Sequence, residues 1–373
     1  MKKALSRYLE GPVRKDLERK MVFVGGPRQV GKTTLGKALL TSPSGYLNWD
    51  VPDHREIILS RELPNTSPLL FDEIHKYRGW RNYLKGLYDE GNNRRHVLVT
   101  GSARLDFYRF GGDSLQGRYH YYRLHPFSVA ELGIRAEIDF QQLLTLGGFP
   151  EPFLSGSHTE AKRWARENRD RLIREDIVGL ETIQDLGQME LLALRLPHLV
   201  GSPLSINALR EDLQVSHKTL ARWMTVFERT YALFRLPPLG GPKLRAVKKE
   251  QKHYHYNWAL VPEEGPRFEN MVAAHLLKWV DYHVDTEGRD LELRYFRDVD
   301  GREVDFVITE DGQPLRLVEC KWSDASVNPT LFYLKRRYPK ADAWQISAIG
   351  KKEFETPEGI RACPALRFLS TLT

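Results

Sequence analysis

The stretch Gly26-Pro27-Arg28-Gln29-Val30-Gly31-Lys32-Thr33 sets two glycines, a lysine and a hydroxyl in the pattern G-x-x-x-x-G-K-[ST], and Thr34 follows it. Glycines allow backbone N–H groups to close around phosphate oxygens. Lys32 would reach the terminal phosphates of a nucleoside triphosphate, and the Thr33 hydroxyl would ligate Mg2+. Downstream, the apolar run Leu69-Leu70-Phe71 ends in Asp72-Glu73. Asp72 is suited to holding Mg2+ through its waters, and Glu73 to polarising the water that attacks the last phosphate. A loop that merely turns would also accommodate the glycines. It would not call for a buried strand before them, a helix after them and a second strand ending in two acids.

Two further positions belong to this reading. The strand His96-Val97-Leu98-Val99-Thr100 should end in a polar side chain aimed between the two motifs, with Ser102 the first choice and Thr100 the second. A hydroxyl that only caps the following turn is the alternative. Arg118, in Ser114-Leu115-Gln116-Gly117-Arg118, is a candidate arginine finger acting across a subunit boundary. It could equally be an ordinary surface arginine.

A second constellation lies near the C-terminus, in GREVDFVITEDGQPLRLVECKW, Gly301 to Trp322. Strand side chains alternate faces, so Glu319 and Lys321 share one face while Cys320 takes the other. With Asp305 on the paired strand, two carboxylates and an ammonium converge. Such an oxygen-rich set suits Mg2+ or Mn2+ better than zinc, with Lys321 orienting a nucleophile or steadying developing charge. The competing reading is a metal-free cross-strand salt bridge, worth about 0.2–1 kcal/mol. Glu303 would share the face of Asp305 as an alternative partner.

The third group is basic. Ser216 is a good N-cap, so a helix should begin after it and present Lys218 and Arg222, four residues apart, along one exposed face. Lys243, Arg245, Lys248, Lys249 and Lys252 then form a strip suited to phosphate backbones. A protein–protein spacer kept soluble by lysines would look similar.

The elements that must carry these groups can be read from hydrophobic patterning. Short apolar strands alternate with helical patterns over the first 130 or so residues, as in a parallel α/β sheet. This predicts an α/β nucleotide-binding domain over 1–139. Helical periodicity predicts a lid over 140–197, and helix, tight turn, helix and extended arm predict a winged helix-turn-helix over 198–252. A mixed α/β domain is expected over 253–373. The 373 residues carry a net charge of +7, which favours polyanionic partners only if the excess clusters. Two cysteines are too few for a disulfide framework and fit a reducing, cytoplasmic setting. No apolar run approaches the roughly 20 residues that cross a bilayer, so no membrane association is expected. The basic N-terminus lacks the apolar core of a secretory signal.

GPRQVGKTTL, LLFDEIHKYRGWRNYLKGLYDE, VTGSARLD and HPFSVAEL together resemble the bacterial and archaeal AAA+-type P-loop ATPases that carry a helix-turn-helix segment and a C-terminal domain. RFENMVAAHLLKWV and GREVDFVI with VECKW resemble that C-terminal domain, which is similar to the PD-(D/E)XK nuclease fold. The resemblance implies that Glu269 completes a metal set with Asp305 and Glu319. The combined reading is a Mg2+-dependent ATPase that binds and remodels or processes branched or broken DNA, with metal-dependent cleavage by the C-terminal domain, and, because an Arg118 finger needs a neighbour's phosphate, one assembled as a homo-oligomeric ring. The alternatives are a regulatory switch ATPase whose C-terminal domain is a non-catalytic binding platform, and a DNA-binding regulator timed by slow hydrolysis. Relatives often have aspartate where this chain has Asn257.

Overall fold

Val22-Phe23-Val24 and Leu69-Leu70-Phe71 are apolar on both strand faces, a pattern that is stable only inside a sheet covered on both sides. Both are fully buried. The computed structural model describes residues 5–90, 96–101, 115–177, 185–240 and 250–372. The chain divides into two units, Met1–His125 and Pro126–Thr373.

In the first unit, α1 (Glu10–Leu17), β1 (Met21–Gly25), α2 (Lys32–Ala38), β2 (Tyr46–Asn48), α3 (Pro52–Ser60), β3 (Leu69–Asp72), α4 (Trp80–Glu90), β4 (Val97–Thr100) and β5 (Tyr119–Arg123) follow in order. The strands form one parallel sheet ordered β2-β3-β4-β1-β5. Because β4 lies between β1 and β3, its last residue, Thr100, registers with Val24 on one side and Asp72 on the other. Phe23, Phe71, Trp80, Leu84 and Val99 fill the core on one face.

The second unit begins with α5 (Val129–Leu132), α6 (Glu137–Leu146), α7 (Pro150–Ser155) and α8 (His158–Arg171), which continues as a π turn over Leu172–Ile177. Then come α9 (Leu186–Arg195), α10 (Ile206–Leu213), α11 (His217–Arg229) and the antiparallel ribbon β6 (Leu233–Leu236) with β7 (Lys252–His255). Ser205 and Ser216 cap α10 and α11, each side chain accepting from the backbone N–H three residues on. Ile173, Ile177, Met189, Leu192 and Leu196 share one core with Leu209, Leu220, Trp223 and Phe227. The boundary expected at 197–198 therefore runs through a single hydrophobic cluster.

The last part opens with the long helix α12 (Glu264–Glu287) and continues with β8 (Leu291–Arg297), β9 (Glu303–Glu310), β10 (Gln313–Lys321), α13 (Pro329–Arg337), β11 (Asp342–Ser347), β12 (Phe354–Glu355), β13 (Ile360–Pro364) and α14 (Ala365–Leu369). Its sheet is ordered β12-β13-β11-β10-β9-β8 and is mixed, with β10, β11 and β13 parallel and the outer pairs antiparallel. The chain leaving β6 lies against the free edge of β8, where Leu239 N–H donates to Tyr295 O at 2.7 Å and Tyr295 N–H to Pro237 O at 3.2 Å. Among the described residues no helix is long and apolar enough to cross a membrane.

Candidate functional site

The loop between β1 and α2 owes its path to residues that tolerate positive φ. Gly26 sits at φ 140°, Gln29 at 62° and Gly31 at 101°. At Gly26 a Cβ would lie 2.3 Å from Leu124 O, so no larger residue fits. The buried Lys32 folds back inside the loop, its Nζ donating to Gly26 O at 2.9 Å and Pro27 O at 2.6 Å. Val30 is buried and anchored through its carbonyl, which accepts from Arg7 Nη1 at 2.6 Å. Arg28 and Gln29 are half-buried, and Thr34 is exposed on the first turn of α2.

Asp72 is the hub of the site. Its Oδ2 accepts from Thr33 Oγ1 at 2.8 Å and from Tyr46 OH at 3.1 Å, while Oδ1 accepts from Thr100 Oγ1 at 2.6 Å. Asn48 Nδ2 in turn donates to Tyr46 OH at 3.0 Å. Burial, together with the charge of Asp72, holds the Tyr46 phenol above its usual range and keeps it a donor. Sequence reasoning passed over Tyr46. Its signal was faint, since only its position on the strand next to the Asp-Glu strand marks it. Ser102, the first choice for the polar group between the motifs, lies outside the described residues. Thr100, the second choice, reaches Asp72 through its hydroxyl, beside those of Thr33 and Tyr46.

Glu73 follows in the left-handed region at φ 57°. Its N–H donates to Thr100 O at 2.9 Å. The Glu73 carboxylate lies 3.5 Å from His75 Nε2 and 3.6 Å from Lys76 Nζ, and Lys76 also pairs with Asp50 at 2.5 Å. Burial holds His75 below its usual range, so the ring is neutral near pH 7. Arg118, half-buried, makes a two-point contact with Asp89, Nε to Oδ1 at 2.9 Å and Nη2 to Oδ2 at 3.2 Å.

The donor chemistry fits a magnesium nucleotide. Thr33 and Asp72 supply hard oxygens side by side, and an ammonium lies within the glycine loop. Thr33 and Asp72 would hold the ion, and the loop from Gly26 to Thr33 the phosphates.

The C-terminal cluster departs from expectation. Lys252, with 0% of its side chain exposed, puts Nζ 2.6 Å from Glu303, 3.3 Å from Glu269 and 3.6 Å from Asp305. Glu269 also accepts from Tyr254 OH at 2.6 Å. Asp305 accepts from Cys320 N–H at 2.9 Å. Lys321 Nζ pairs directly with Glu319 at 2.7 Å, and Asn328 Nδ2 donates to the same oxygen at 2.7 Å. Of the expected metal set Glu269, Asp305 and Glu319, the first two face the Lys252 ammonium and the third faces Lys321. No group of three or more His, Cys, Asp or Glu placed to hold a metal ion occurs among the described residues. Lys252 is corrected, from an exposed member of a basic strip to the centre of a buried cluster.

The electrostatics follow from this packing. Burial opposes the charge of Lys252, but Glu269, Asp305 and Glu303 outweigh it and raise its affinity for the proton. Burial, reinforced by Asp305, pushes Glu269 up to about 7. Burial likewise raises Asp305 and Glu319.

Lys218 and Arg222 are both exposed on α11. Lys243, Arg245, Lys248 and Lys249 lie outside the described residues. His253, Tyr254, His255 and Tyr256 are core side chains, and Asn257 accepts from Ala259 N–H at 3.3 Å.

Comparison with known proteins divides the chain three ways. Residues 18–133 match an AAA domain family, residues 137–263 a domain of unknown function (DUF8612) and residues 264–367 another (DUF4143). The chain is 23% identical over 375 residues to uncharacterized proteins of Mycobacterium bovis and Mycobacterium tuberculosis, covering 94% of this chain and 81% of each of theirs. An uncharacterized protein of Methanocaldococcus jannaschii is 23% identical over 199 residues, 48% of this chain and 44% of that one. A crystal structure of a DNA polymerase III gamma subunit-related protein from Thermotoga maritima aligns with a TM-score of 0.29 and 12% identity, over 59% of this chain and 99% of that one. The parallel five-stranded sheet of the first unit fits a P-loop nucleotide-binding fold, and an AAA domain implies nucleotide binding.

Proposed function

We propose that the first unit is an AAA-type, Mg2+-dependent ATPase. The observation that carries this is the contact of Thr33 with Asp72 at 2.8 Å, made at the ends of a glycine loop and a strand two places away in one parallel sheet. Lys32 balances charge on the terminal phosphates, and the loop amides fix their position. Thr33 and Asp72 hold the ion, and Thr100 and Tyr46 keep the Asp72 carboxylate from turning. Glu73 holds the attacking water and accepts its hydrogen bond, while His75 and Lys76 limit where that carboxylate can swing. When bound, Mg2+ would neutralise charge on the terminal phosphates. Ser102 remains a proposed polar partner of the last phosphate, and Arg118 a proposed finger in a homo-oligomeric ring.

We further infer DNA as a partner, bound through the second unit as a winged helix-turn-helix. The capped helix pair α10–α11, the ribbon behind it and the exposed Lys218 and Arg222 support this reading. ATP-driven remodelling of DNA follows as the activity of the whole chain. Phosphate release measured with and without duplex DNA tests it. Turnover abolished in Lys32→Ala and raised by DNA is expected; turnover indifferent to DNA would favour the regulatory switch.

A further inference from the structure

Helix α12 and the C-terminal sheet bring four carboxylates together, and a divalent cation is the usual way to hold such a set. Here Lys252 supplies the positive charge. Its ammonium is within 3.6 Å of Glu269, Glu303 and Asp305, and the Tyr295 ring lies 5.6 Å from Nζ. Glu319 is provided for separately by Lys321 and Asn328. A metal ion bound by Glu269 and Asp305 would have to share their space with a buried ammonium of the same sign.

We propose that Lys252 takes the place of a divalent cation, so that the cluster is a metal-independent lock between the β6–β7 ribbon and the C-terminal sheet. The lock joins elements distant in sequence. Lys252 begins β7 and pairs in register with Leu236 at the end of β6, Glu269 comes from α12, and Glu303 and Asp305 come from β9. Tyr254, two residues along β7 and on the same strand face as Lys252, adds its hydroxyl to Glu269. The Pro237–Leu239 segment fastens the other arm of the ribbon to β8. Helix-turn-helix ribbon and C-terminal sheet are thereby held as one piece. This proposal stands apart from the ATPase reading, since none of its residues belongs to the nucleotide site.

The test is a Mn2+ titration of the nucleotide-free full-length protein, followed by electron paramagnetic resonance of the free ion. Wild type and Asp305→Asn should give the same isotherm, and EDTA should leave thermal unfolding of the wild type unchanged. Lys252→Met should gain one Mn2+ per chain, lost again when Asp305→Asn is added. Loss of one Mn2+ equivalent from the wild type on Asp305→Asn alone would overturn the proposal. So would a folded Lys252→Met protein that takes up no additional Mn2+. Should Lys252→Met fail to fold, Lys252→Arg, which keeps a cation, should fold and bind no additional Mn2+; an extra equivalent there would count against the lock.

Discussion

Replacing Lys252 with methionine keeps an unbranched side chain, one atom shorter, and removes its charge from the middle of three carboxylates. Breaking a buried ion pair from one side costs about 3–5 kcal/mol, because the partner charge is left uncompensated. Lys252 is fully buried and contacts Glu269, Glu303 and Asp305 together, so the full range applies. The opening of β7 should become easier by that amount. At pH 8 its amide protection, read by hydrogen exchange, should fall roughly 10²- to 10⁴-fold. The loss should depend on pH with a definite sign. Glu269 is pushed up to about 7, above the ordinary carboxylate range. Between that range and pH 7 the folded chain holds a proton that the unfolded chain releases, so this contribution is complete in acid and is lost as pH rises through 7. At pH 5.5 Glu269 is protonated and one of three charges facing residue 252 is gone. The deficit of the variant should then shrink by about 1–1.7 kcal/mol, close to tenfold in protection. Protection within threefold of wild type at pH 8, or a deficit that grows on acidification, would show that Lys252 does not neutralise these carboxylates.

Three other outcomes are expected. Thr100→Val removes the 2.6 Å hydrogen bond to Asp72 and should raise the Mg2+ concentration for half-maximal ATP turnover about tenfold; an unchanged Mg2+ requirement would detach Thr100 from the ion site. Burial holds His253 near 4 and His255 and His275 near 3, so the unfolded chain takes up protons first on acidification. Their contribution is present above the usual histidine range and is lost as pH falls through it. These three histidines work against the raised Glu269, Asp305 and Glu319, and tryptophan fluorescence should report a urea midpoint that drops between pH 6.5 and 5. A midpoint that rises over that interval would contradict this account. Lys218→Ala with Arg222→Ala should flatten the salt dependence of duplex DNA binding by about two in log–log slope; an unaltered slope would remove α11 from the interface.

The nucleotide site was legible because its chemistry is carried by one short loop and one strand end. Spacing alone places Lys32 and Thr33 together, and an apolar strand ending in Asp-Glu, not rare by itself, gains its meaning from following that loop in the chain. What lay beyond those segments was harder to see. Thr100 and Tyr46 reach Asp72 because β4 and β2 flank β3, and strand order is a long-range property that no local pattern encodes. Lys252 is hard to place from sequence for a different reason. It ends a run containing Lys248, Lys249 and Glu250, which looks like a solvated face. The clue was the alternation just after it, where Lys252 and Tyr254 fall on one face of a strand and both reach Glu269. The hairpin bearing Asp305, Glu319 and Lys321 was placed on adjacent strands, but its occupant comes from the ribbon some fifty residues earlier, beyond what hairpin geometry can reveal.

Glu73→Gln separates nucleotide binding by the Lys32 loop from the activation of water by Glu73. Glutamine keeps the shape and removes the negative charge that polarises water. Equilibrium binding of a fluorescent ATP analogue and single-turnover hydrolysis should be measured on the same preparation. Binding within about threefold of wild type, with the hydrolysis step slowed at least a hundredfold, is the expected result. Hydrolysis at the wild-type rate in Glu73→Gln, or wild-type nucleotide affinity in Lys32→Ala, would contradict the account.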